Sequence, residues 1–118
     1  MFLVEGGSDV AACLTVGLCV VGRPSNLGGL AYLAPLLRPL GDRRIVVIGE
    51  RDRKADGRHP GKEGAQSTWA KLRQRLGRRV EWRMPPGKGK DMREWVQGLG
   101  IDVNDTEVAF EKGREVYR

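Results

Sequence analysis

Ile45-Val46-Val47-Ile48-Gly49-Glu50-Arg51-Asp52 is the stretch that decides the fold. Four apolar residues and a glycine run straight into two acids that flank an arginine. A run this short and wholly apolar reads as a strand buried on both faces, the kind found in parallel sheets covered by helices. The chain opens on a second such run, Phe2-Leu3-Val4, which ends at Glu5-Gly6-Gly7. In a parallel sheet both groups of acids emerge at the carboxyl edge, where open α/β sheets bind their ligands. Glu5, Glu50 and Asp52 therefore form a candidate site for a hard divalent cation, Mg²⁺ or Mn²⁺ in its place.

The remaining pattern alternates strands with helices. Ser8 is placed to cap a helix over Asp9–Val16 that closes at Gly17. Leu18–Val21 reads as a second strand, followed by the turn Gly22-Arg23-Pro24-Ser25-Asn26. A helix over Gly28–Leu40 contains Pro35, which costs about 3 kcal/mol inside a regular helix and so predicts a kink or two short pieces. The third strand covers Arg44–Ile48, and a polar loop with a turn at Asp56-Gly57 leads to a helix over Lys62–Leu76, closed by Gly77. Val80–Arg83 is a fourth strand, and Trp82 between charged neighbours marks it as an edge. After the loop Pro85-Pro86-Gly87-Lys88-Gly89-Lys90, Asp91 caps a helix to Gln97, and a short helix over Thr106–Glu111 is expected in a polar tail. Helices between all four strands predict an α/β fold with a four-stranded parallel sheet and right-handed crossovers.

A chain of 118 residues suffices for one domain, and 40% hydrophobic with 31% charged residues is ordinary for a globular protein. The longest apolar stretch, Val10–Val21, is interrupted by Thr15 and Gly17 and too short to span a bilayer. The start lacks a basic leader and reaches Glu5 at once, which argues against a signal peptide. Cys13 and Cys19, six apart in apolar runs, fit neither a zinc knuckle nor a redox pair and read as buried free thiols of a cytoplasmic protein. The net charge of +6 is concentrated: Lys71–Arg93 holds nine basic residues against two acids. Such a sector points to a polyanionic partner, nucleic acid above all.

The chemistry follows from the acids. Clustered carboxylates raise one another's pKa by repulsion, and a divalent ion relieves that repulsion. Phosphate chemistry is the natural use of such an ion, which polarises a phosphoryl oxygen and neutralises developing charge. Glu5 is placed to ligate the metal or to act as general acid or base. Glu50 and Asp52, at i and i+2 in extended backbone, would point the same way. Arg51 and Arg53 beside them would hold a phosphate or pair with the acids. Capping the following helix is an alternative role for Asp9 and for Asp91. Lys88 and Lys90 suit phosphates. His59 lies in a loop before Pro60 and is not favoured as catalytic, and Ser25-Asn26 are better read as a cap than as a phosphate site.

These residues resemble a known pattern. Glu5-Gly6-Gly7-Ser8-Asp9 is similar to the Glu-Gly-x-x-Asp motif of Toprim domains, shared by topoisomerases, bacterial-type primases and related nucleases. Glu50-Arg51-Asp52 with Gly57 resembles the second Toprim motif, Asp-x-Asp followed by Gly, with Glu in place of the first Asp. Pro85-Pro86-Gly87-Lys88-Gly89-Lys90-Asp91 is similar to the Pro-Gly-Gly-Lys-Asp stretch of primase-type members. The loop Arg53-Lys54-Ala55-Asp56-Gly57 with His59-Pro60-Gly61 resembles the primase-like Toprim proteins of phages, plasmids and mobile elements.

The resemblance implies a compact Rossmann-like Toprim domain over residues 1–98, with 99–118 as a C-terminal tail. It implies Mg²⁺-dependent nucleotidyl or phosphoryl transfer in a DNA primase-like protein, with Glu5 as general acid or base and Glu5, Glu50 and Asp52 as metal ligands. Arg51, Arg53, Lys54, Lys88 and Lys90 would hold phosphate or nucleic acid, with Asp9 and Asp91 in support. DNA, nucleotides and the other domains of a longer replication protein are the partners implied. A Toprim-type nuclease and a non-catalytic basic nucleic-acid-binding module are the alternatives. The extra methylene of Glu50 shifts its carboxylate by about 1 Å, within what water-mediated Mg²⁺ coordination accommodates.

Overall fold

Strand β1 (Phe2–Glu5) lies near the centre of the sheet, and its first three residues are buried. The computed structural model describes residues 1–25 and 28–116. β2 (Val20–Arg23) and β3 (Val46–Ile48) flank β1 in parallel, and β4 (Glu81–Arg83) adds to β3, giving the order β2-β1-β3-β4. The sheet is four-stranded and all-parallel with helices on both faces, a Rossmann-like α/β arrangement. β4 is an edge strand, and Trp82 on it is half-buried.

The period of two along the strands divides the core. Phe2 and Val4 of β1, with Val46 and Ile48 of β3, face α1 (Gly7–Thr15), α4 (Met92–Gln97) and α5 (Thr106–Glu115). Leu3 and Val47 face α2 (Leu30–Leu37) and α3 (Pro60–Leu76). Such two-sided burial explains why the interiors of β1 and β3 carry no alternating polar residue. α5 belongs to this core: Ala109 is fully buried against α1, and the helix extends four residues past its expected end.

Several element ends differ from expectation. Gly6, at φ 80°, is the residue before α1, and no side chain caps that helix, so Ser8 is helical rather than its cap. Positive φ lets the chain turn from strand to helix within one residue, and only glycine takes it freely. β2 runs two residues later than its apolar run suggests, because Glu5 pairs in register with Arg23 and draws Gly22-Arg23 out of the turn. Asn26 of that turn lies outside the described residues. Ser25 Oγ accepts the Gly28 amide at 2.8 Å, a local turn bond. α2 contains Pro35 and passes into a 3₁₀ turn, Arg38–Leu40: two short pieces, with the change at Leu37. No helix among the described residues is long and apolar enough to cross a membrane.

The cysteines differ from one another. Cys13 is fully buried in α1, and burial pushes its thiol up to about 12, with the Asp9 charge adding to the effect. Cys19 is exposed, contrary to the expectation of two buried thiols, because it falls between α1 and β2 rather than inside a strand. A thiol-specific reagent at pH 8 is expected to modify one cysteine per native chain, Cys19, and both after denaturation. Fast modification of both in the native protein would contradict the packing of α1.

Candidate metal centre

The connectivity sets the place. From β1 the chain moves outward to β2, then crosses back to β3 on the other side of β1. The strand order therefore reverses between β1 and β3, and a crevice opens beyond their carboxyl ends. Glu5 ends β1 and Glu50 follows β3 by two residues, so the two acids stand on either side of this switch point.

Strand parity then separates them. Ile48 faces α1 and α4, Gly49 faces α3 where a Cβ would sit 3.1 Å from that of Ala65, and Glu50 returns to the α1/α4 side. There it meets Asp9 in the first turn of α1 and Asp91 at the start of α4. Each of the three offers a carboxylate oxygen, and these oxygens all lie within 4.8 Å of one another. Asp9 and Asp91 are buried, and Glu50 is half-buried.

Asp52 takes a different position. Its Oδ1 accepts the Gly61 amide at 2.7 Å and so satisfies the open amino-terminal end of α3. This bond holds Asp52 at the start of α3, apart from the oxygen cluster that Glu50 joins. The group brought together is thus Asp9, Glu50 and Asp91, with Glu5 close enough for its charge to act on Glu50 and Asp52 turned towards α3.

Two loops hold this arrangement. The Arg51 amide donates to the Lys90 carbonyl at 2.7 Å, and the Arg51 guanidinium donates to the carbonyls of Gly89 at 2.7 Å and Pro85 at 2.6 Å. Arg51 thereby ties the β3 loop to the Pro85–Lys90 loop and brings Asp91 beside Glu50. Asp91 Oδ1 caps α4 by accepting the Glu94 amide at 2.8 Å, and Asp9 Oδ1 accepts the Arg93 amide at 3.1 Å. Two acids at one helix start complement its dipole.

The electrostatics are those of a crowded acid site. Burial raises the Glu50 carboxyl to about 7, with repulsion from Glu5, Asp9 and Asp91 adding and Lys90 opposing. Asp9 is also raised, first by burial, while the Arg93 amide draws it back. The counter-charge behind the crevice is Arg23, 1% exposed, which donates to Thr68 Oγ1 at 3.2 Å and to the Ile48 carbonyl at 3.0 Å. Burial lowers its pKa, and the charges of Glu5 and Glu50 hold it up. Arg23 is the site residue missed in the sequence. The signal was its place just beyond an apolar run, five residues after Leu18, as Glu5 lies just beyond Phe2-Leu3-Val4.

The donor set fits a hard cation. Trans oxygens around Mg²⁺ stand about 4.2 Å apart, so an oxygen cluster spread over 4.8 Å needs only a small contraction or one bridging water. Carboxylates without nitrogen or sulfur donors favour Mg²⁺ or Mn²⁺ over softer metals. Beside the acids, a depression of about 270 Å³ is lined by Glu50, Arg51, Asp52, Arg53, His59 and Lys62 among others. His59 Nδ1 lies 3.1 Å from the Asp52 carbonyl oxygen, and Arg53, Lys54, Lys88 and Lys90 are all exposed around this edge. Asp56 builds the expected turn with Gly57, accepting the Arg58 amide at 3.0 Å.

Gly61 makes the close approach of α3 possible. A Cβ there would lie 2.7 Å from both Asp52 Oδ1 and Glu50 Cβ, and 2.8 Å from the Glu50 carbonyl oxygen. Gly61→Ala is expected to destabilise the protein by about 1–2 kcal/mol and to weaken metal binding, because Glu50 must shift. Urea melts with metal titrations check this, and unchanged values in both would contradict the packing. Comparison with protein-family models, curated proteins and solved structures gave no match.

Proposed function

We propose that this chain is a primase-like Toprim module that carries out Mg²⁺-dependent nucleotidyl or phosphoryl transfer on DNA. The observation that carries this reading is the meeting of Asp9, Glu50 and Asp91 at the switch point, with Glu5 beside them. Acids from the Glu-Gly-x-x-Asp stretch, the Glu-x-Asp stretch and the Gly-Lys-Asp stretch thus meet in one cluster.

Asp9, Glu50 and Asp91 would hold the cation. The cation when bound supplies charge neutralisation at a phosphoryl group. Glu5, in register with Arg23 and near enough for its charge to act on Glu50, would take or give a proton at the reacting oxygen. Arg53, Lys54, Lys88 and Lys90, exposed around the crevice, would hold phosphates of the strand or the incoming nucleotide. Arg51 acts at one remove by fixing both loops.

A labelled single-stranded DNA incubated with nucleotides and Mg²⁺ or Mn²⁺ tests the assignment. Extended or newly primed products support nucleotidyl transfer, and shortened products would move the assignment to a nuclease. A second reading has its own observation: Asp9 and Asp91 each already cap α4, which accounts for two of the three acids without any ion. Under that reading the chain only binds nucleic acid, and neither product forms although the strand is retained.

A further inference from the structure

At the amino-terminal end of the sheet, opposite the carboxylates, lies an open groove of about 940 Å³ between the last turns of α3 and the edge strand β4. Trp69, Arg73, Arg78, Arg79 and Trp82 line it. Arg73 places its guanidinium 5.0 Å from the centre of the Trp69 ring, and Trp69 Nε1 donates to the Val80 carbonyl at 2.6 Å. The Trp69 ring is thereby fixed at the groove wall. The Arg79 side chain is 87% exposed and only 3.8 Å from Glu81, a weak exposed pair. Arg78 lines the groove but donates to the Arg43 carbonyl through one terminal nitrogen, and its other, Nη1, is buried with no hydrogen-bond partner among the described residues. Glu81 also lines the groove, but Arg44 already pairs with it in a two-bond contact.

We propose that this groove binds single-stranded nucleic acid, with bases against Trp82 and the Trp69 edge and phosphates on the exposed Arg73 and Arg79. Two indoles among three arginines are the components of a strand-binding platform, since every base offers a face for stacking and every linkage a negative charge. An acidic peptide would use the arginines and leave the indoles without a role. Charge complementarity favours the strand, because the groove lies within the sector of nine basic residues against two acids. The groove is separate from the metal centre, so it would bind whether or not the acids hold a cation.

The test is tryptophan fluorescence with oligodeoxythymidylate at low salt in EDTA, which keeps the result independent of the metal centre. Quenching with saturable binding is expected. Arg73 and Arg79 are exposed, so Arg73→Ala with Arg79→Ala leaves the core intact and is expected to weaken binding at least ten-fold. The slope of log affinity against log salt should become shallower by about 1.4, the value for two lost phosphate contacts on a single strand. Trp82→Leu should weaken binding about ten-fold with the slope unchanged. Equal affinity for inorganic polyphosphate or polyglutamate would show a general anion surface and overturn the proposal. So would absence of quenching, or full affinity in the double arginine variant.

Discussion

Glu50→Gln is expected to stabilise the metal-free protein at pH 8 and to abolish its response to Mg²⁺. The carboxyl titrates near 7 in the native state against an ordinary value of 4.5. Between those values the native protein binds more protons than the unfolded chain, so stability falls as pH rises. The cost is absent below pH 4.5 and complete above about pH 7. A full shift of this size corresponds to about 3 kcal/mol, and solvent screening of a half-buried group reduces it to about 1–2 kcal/mol. Glutamine removes the charge at nearly constant shape, so the variant should melt roughly 5 °C higher than wild type at pH 8 in EDTA, with little difference at pH 4.5. Asp9, also raised, contributes with the same sign. With metal present the order reverses. At a hundred-fold excess over its dissociation constant a bound ion stabilises the native state by about 2.7 kcal/mol, and the variant should show none of this. Wild-type affinity for metal should itself rise with pH through 7, since binding must displace the Glu50 proton. A variant destabilised equally at both pH values would contradict the crowded acid site.

Gly113→Ala is expected to cost about 2–4 kcal/mol, the largest loss foreseen for a single methyl group in this chain. A Cβ at Gly113 would lie 1.8 Å from the Val16 carbonyl oxygen, which is backbone at the end of α1 and has no rotamer to change. α5 must therefore move off α1, exposing Ala109 and Val116, which are now buried. In an unconstrained helix the same substitution would gain about 1 kcal/mol from helix propensity. The sign of the change in a urea melt thus decides whether α5 docks. Stabilisation would mean that α5 stands free of α1, whereas a loss with metal affinity of the folded protein unchanged is the expected outcome.

Legibility in the sequence followed burial. Phe2-Leu3-Val4 and Ile45-Val46-Val47-Ile48 announced themselves because strands covered on both faces can hold little but apolar residues, and the helices between them dictated a parallel sheet. β2 was harder: its interior is only half-buried at an edge, so the apolar run and the paired strand are offset by two residues, and Arg23 was read as turn. Of the acid cluster, Glu50 was legible because its position depends on a strand end alone; Glu5 ends β1 as read but lies outside the cluster it was expected to join. Asp52 was assigned from extended spacing, but the open amides of α3 competed for its carboxylate. Asp91 looked like the cap of its own helix and is one, whereas Asp9, expected to serve α1, caps α4 instead; that both acids also face Glu50 depends on how α1 meets α4, a tertiary contact with no local signature.

Asp9, Glu50 and Asp91 together would bind one divalent cation. Calorimetric titration of Mn²⁺ at pH 8 into the wild type, an Asp9→Asn/Glu50→Gln variant and an Asp52→Asn variant tests it most directly. One site in the wild type, lost in the double variant and retained in Asp52→Asn, is the result expected. No binding in the wild type, or equal binding in the wild type and the double variant, would contradict the claim.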